Sequence, residues 1–156
     1  MNKSIGALLL GLSVATIILA PGQRVRATLG EPAESVSSDR TALSAVRHAA
    51  PSGSGFTVQE LKTDANSVRE YVSPSGIVFA IAWNGLSQPD LSVLLGSYAG
   101  EYRHALQQVR RTPGHRSLKV KANGVVVEKW GNIRNLQGRA YAPALIPPGV
   151  SIDEIK

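Results

Sequence analysis

Apolar and polar positions change their rhythm several times along the chain. Ile5 to Ala20 (IGALLLGLSVATIILA) is a run without a charge, and residues 28–55 show no apolar period at all. From Phe56 onward short apolar runs alternate with turn residues, the signature of strands. One stretch, Ser87 to Arg111, shifts to a period of 3.6 and reads as a helix.

Phe56–Thr63 and Ser67–Ser73 predict a hairpin around Asp64-Ala65-Asn66, followed by a turn at Pro74-Ser75-Gly76. Ile77–Trp83 (IVFAIAW) is apolar at every position, so it predicts a central strand covered on both faces. Strict alternation puts Ile77, Phe79, Ile81 and Trp83 on one face and Val78, Ala80 and Ala82 on the other. The small alanines would let a helix approach closely. Separately, Leu94, Leu95, Phe79 and Ile81 are expected to be buried and to meet across a helix–sheet interface.

In the helical stretch Leu91, Leu94, Leu95, Tyr98, Tyr102, Ala105, Leu106 and Val109 share one face. Ser87 is placed to cap it, with Pro89 in the first turn and Asp90 at the capping-box position. Arg110 and Arg111 complement its negative end, and Pro113-Gly114 stops it. Gly96 and Gly100, four apart, suggest close packing of backbone on the sheet.

Asn123-Gly124 between Leu118–Ala122 and Val125–Trp130 predicts a two-residue hairpin. Its register pairs Ala122 with Val125, Val120 with Val127 and Lys119 with Glu128. Leu136–Ala142 reads as a last strand, and Ser151 with Glu154 as a cap on a terminal turn. The expected fold class is α+β: an antiparallel β-sheet in the order β-β-β-α-β-β-β with one long amphipathic helix packed on it.

The first 27 residues read as an export signal: Lys3, then the apolar run, then Pro21-Gly22 and a Val25-Arg26-Ala27 cleavage pattern. The run is short for a membrane span. Cleavage is expected after Ala27, leaving no transmembrane segment; the alternative is an uncleaved N-terminal anchor. Residues 28–55, rich in Ser, Ala, Gly and Pro and without an aromatic, read as a flexible leader with room for a short helix over Ser38–Ala49. Residues 56–156 then form a single α+β domain. The expected location is periplasmic or extracellular.

Charge changes the picture only through its distribution. The formal net charge is +6, but Lys3, Arg24 and Arg26 lie in the signal and no acid does, which leaves +3. From Arg103 to Arg139 there are nine Lys or Arg and one acid, Glu128. Arg110, Arg111, Arg116, Lys119 and Lys121 are candidates for one anion-binding patch beside His115, with Lys119 the weak member because Glu128 faces it. A solvated face accounts for the same run. Outside the cytoplasm the natural partners of such a patch are anionic polysaccharide, lipid head groups or extracellular nucleic acid. Intracellular nucleic acid is not expected.

Catalytic chemistry finds little purchase. The chain has no cysteine, which excludes disulfides, thiolate metal sites and thiol nucleophiles. His48, His104 and His115 lack metal-ligand spacing, so no metal site is expected. Ser52-Gly53-Ser54-Gly55 is a linker run, not a nucleophile elbow. Glu60 and Glu70 are placed to face each other across the first hairpin as a glycosidase-like carboxylate pair. As exposed residues neutralised by Lys62 and Arg69 they need no such role. No catalytic residue and no cofactor is assigned.

Three segments, EYVSPSGIVFAIAWNG, QPDLSVLLGSYAGEY and GRAYAPALIPPGVSIDEI, follow a signal peptide and a Thr28-Leu29-Gly30 start. Together they resemble an uncharacterised family of small secreted proteobacterial proteins, a domain of unknown function (DUF), over Leu29 to Ile155. The chain has Gly131-Asn132 where that pattern has Gly-His. The resemblance implies export and a single domain, and brings no activity, cofactor or catalytic residue. The expectation is thus an accessory binding module for an envelope component or protein partner. The alternative is a small envelope hydrolase built from Glu60, Glu70 and a distant His or Ser.

Overall fold

The computed structural model describes residues 28–33, 55–110, 114 and 116–156, and the backbone of 46–49. Its described strands form one antiparallel sheet: β1 (Val46–Ala49), β2 (Thr57–Lys62), β3 (Asn66–Val72), β4 (Val78–Gly85), β5 (Leu118–Ala122), β6 (Val125–Asn132) and β7 (Asn135–Tyr141). The spatial order β1-β2-β3-β4-β7-β6-β5 puts β4 at the centre, as its unbroken apolar run requires. The α+β class holds. The strand order expected from the sequence lacks β1, which pairs with β2 where a flexible leader was expected. The helix expected over Ser38–Ala49 is strand at Val46–Ala49, and its remainder lies outside the described residues.

The single long helix is also corrected. Helix α1 (Leu91–Leu94) gives way to a 3-10 turn at Gly96–Tyr98 and then to helix α2 (Ala99–Gln108). Asp90, not Ser87, is the N-cap, accepting a hydrogen bond from the Ser92 amide at 2.9 Å. The Ser87 hydroxyl instead accepts one from the Asn66 side chain. The break falls at Gly96, whose φ is +49. A Cβ there would lie 2.7 Å from the Thr28 Cβ. The helix therefore yields to a neighbouring chain segment, not to the sheet.

That segment is Thr28–Ala33. Leu29 donates its amide to the Leu94 carbonyl at 3.0 Å, Gly30 donates to Val78, and Val78 donates back to Glu31. A bridge joins Pro32 to Ile77. The Leu29 side chain is fully buried in the core beneath the helices, with Val78, Ile81, Trp83, Leu94, Leu95 and Tyr102. The absence of aromatics misled the reading of this stretch as leader: one leucine, inserted where the helix breaks, anchors it.

The opposite face of the sheet carries a second core, Phe56, Tyr71, Phe79, Ala80, Ala82, Val126 and Tyr141, closed by Ile155 of the C-terminal segment. Phe56, Tyr71 and Phe79 meet in tilted and edge-on pairs with centroids 5.6–6.3 Å apart. Phe79 is therefore on the face away from the helices, contrary to the alternation expected from the sequence. The reason is a β-bulge. Tyr71 pairs with Ala80 but Val72 with Val78, so Phe79 is an extra residue in β4. It shifts the phase by one: Val78, Ile81 and Trp83 face the helices, and the two alanines face the C-terminal segment. Leu94 and Leu95 do meet Ile81 in the helix-side core.

Candidate functional site

β5 and β6 pair in the expected register: Ala122 with Val125, Val120 with Val127, Lys119 with Glu128. Gly124 takes a φ of +77 in the turn, which suits the glycine of Asn-Gly. The hairpin brings the start of β5 beneath the end of α2. Between them opens a cavity of about 450 Å³. Val109 and Arg110 line it from the helix end, Arg116, Ser117, Leu118 and Lys119 from the start of β5, and Lys129, Trp130 and Gly131 from β6. Leu136 and Gln88 complete it.

The lining holds four cationic residues and no acid. Arg110 and Arg116 are exposed and enter no ion pair among the described residues. Lys129 is half-buried, its ammonium 5.5 Å from the centre of the Tyr102 ring. Lys119 is committed elsewhere: its Nζ lies 2.5 Å from Glu128 Oε1, while Arg139 Nε holds Glu128 Oε2 at 2.6 Å. Burial pushes the Glu128 carboxyl up, but the hydrogen bonds and charges of Lys119 and Arg139 outweigh it and hold the group below the usual carboxylate range. The hydrogen bond to Glu128, then its charge, holds Lys119 above the usual lysine range.

Of the five patch residues singled out by the sequence, Arg110, Arg116 and Lys119 share this cavity. Lys121 is exposed on β5 but is not part of the lining. Arg111, like His115, lies outside the described residues. Sequence reasoning missed Lys129 and Gln88. Lys129 was legible in principle: it pairs with Leu118, and the Asn-Gly register places both on the helix-side face. Gln88 had no such signal, since the bond from Trp83 Nε1 to its Oε1 at 3.1 Å depends on tertiary packing.

The carboxylate pair is not formed. Glu60 lies opposite Arg69, and Glu70 opposite Gln59, so the two glutamates point to opposite faces of the sheet. Glu60 is held by Ser67 at 2.7 Å, Lys62 at 3.2 Å and Arg69 at 3.7 Å. Burial raises its pKa, but these partners outweigh it and the net direction is down. Among the described residues no cluster of His, Asp and Glu is suited to a metal ion, and no helix is long and apolar enough to cross a membrane.

A family model described as "Protein of unknown function (DUF2844)" matches residues 25–155 of the chain. No curated protein and no solved structure matches it.

Proposed function

The chain belongs to the DUF2844 family of proteins of unknown function, and on that premise we propose that it is an exported accessory protein, periplasmic or extracellular, which binds an anionic envelope component in the basic cavity and performs no catalysis. One observation carries the reading. Arg110 and Arg116 flank the connection between helix and hairpin, and the fold returns both to one acid-free cavity with Lys129. Guanidinium groups there suit bidentate contacts to carboxylate or phosphate. Leu118, Val109 and Leu136 add apolar surface on which the uncharged part of a ligand can rest. Export is supported by the pattern of residues 1–27. The hydrolase reading has lost the carboxylate pair on which it was built.

Calorimetric titration of the processed protein with a soluble polyuronate tests the proposal. Weak binding is expected, released by salt. An Arg110→Ser, Arg116→Ser double variant should keep its far-UV circular dichroism and lose the binding. A wild-type protein indifferent to the polyanion at low salt would reject the cavity as an anion site.

A further inference from the structure

Among the described residues two large apolar side chains stand in solvent, Ile133 at 89% exposure and Leu86 at 64%. Both lie at one end of the sheet. β4 ends at Gly85, paired with Leu136, whereas β6 and β7 continue to Asn132 opposite Asn135. The β6–β7 hairpin thus overruns its neighbour, with Ile133 and Arg134 at its tip and Leu86 at its foot. Arg134 donates its amide to Asn132 Oδ1 at 3.0 Å, an Asx turn that fixes the tip without burying it. Ile133, Arg134 and Arg116 line one open concavity of about 560 Å³, and Arg116 joins it to the basic cavity and Arg110. Against these cations stands Asp64, exposed in the adjacent β2–β3 turn, where Leu86 donates its amide to Ala65.

We infer that this end of the sheet docks on the surface of an anionic lipid bilayer, with Ile133 entering the acyl boundary and Arg110, Arg116 and Arg134 contacting head-group phosphates. A projecting isoleucine finds no counterpart in a hydrated glycan. It suits a bilayer interface, which accepts apolar side chains exposed this fully and holds them more firmly when basic residues surround them. The inference shares arginines with the reading of the cavity but stands on Ile133 and Leu86, which that reading does not use.

Co-sedimentation of the processed full chain with phosphatidylglycerol vesicles, and with phosphatidylcholine vesicles as the uncharged control, tests it. Binding is expected to phosphatidylglycerol only, reduced but not abolished by salt. Ile133→Ser should weaken it about tenfold and Arg134→Ser about fivefold, with unchanged circular dichroism and unchanged polyuronate binding. Leu86→Ser, made at an independent site, should weaken it in the same direction. Vesicle binding that needs Ile133 while polyuronate is ignored supports the inference and removes the cavity reading alone. The inference is overturned if wild-type protein ignores phosphatidylglycerol vesicles, or if Ile133→Ser binds them as well as wild type does. It is equally overturned if Ile133→Ser loses polyuronate and vesicles together.

Discussion

A Cβ on Gly96 would press on Thr28, while one on Gly100 would meet nothing within 4 Å. The two glycines, alike in sequence, therefore predict substitutions of opposite sign. Gly96→Ala forces a φ of +49 on alanine and pushes Thr28 away, and should cost about 1–3 kcal/mol in denaturant unfolding. Gly100→Ala, inside α2, should stabilise by about 0.5–1 kcal/mol through helix propensity. Glu128 supplies a pH test at the same scale. Its folded pKa is lowered, so its contribution is present above its unfolded value of about 4.3 and is lost as pH falls through the lower folded value. Glu128→Gln should cost about 1–3 kcal/mol at neutral pH. The gap from wild type should shrink in acid melts; a gap independent of pH would contradict the assignment.

At the scale of elements, local chemistry was legible and phase was not. Asn123-Gly124 specified a hairpin and its register down to the Lys119–Glu128 pair, because a two-residue turn leaves one way to align the strands. Ser151 and Glu154 form the expected capping box for the same reason, both partners lying within one turn. The bulge at Phe79 had no such local mark, since no glycine or proline stands there, and it exchanged the faces expected of Val78 and Phe79 while leaving Ile81, Trp83 and the two alanines where the alternation put them. The helix break was hidden too: its cause, Thr28, lies far away in sequence. The candidate site followed the same division. Arg110 and Arg116 were visible as a charge run, whereas Gln88 arrives through Trp83. The docked segment gives the element-scale prediction. Leu29→Ala should cost about 2–5 kcal/mol by equilibrium unfolding, as a fully buried leucine does. A cost below about 1 kcal/mol would mean that Thr28–Ala33 is not anchored.

The whole molecule is a sheet with different covers: helices and the Thr28–Ala33 segment on one side, the C-terminal segment on the other. Its cations are likewise divided. Lys119 and Arg139 are spent on Glu128, while Arg110 and Arg116 remain available at one end. Lys121→Ser is therefore the control for the cavity: polyuronate affinity should stay within about twofold of wild type, after allowance for weak long-range attraction. A loss as large as that of the arginine variant would mean that net charge, not the cavity, governs binding. Mass analysis of secreted protein should find a chain starting at Thr28; retention of Met1 in the membrane fraction would contradict export by cleavage.

The C-terminal cover has a consequence in time. Tyr71 donates its hydroxyl to the Lys156 carbonyl and accepts the Lys156 amide, Arg139 reaches the Ile152 carbonyl, and Ile155 is fully buried against the central strands. The aromatic side of the sheet therefore lacks part of its cover until Ile155 has been synthesised, after β4. Clipping Ile155 and Lys156 should prolong that state in the finished protein, leaving it open to proteases that ignore the intact chain.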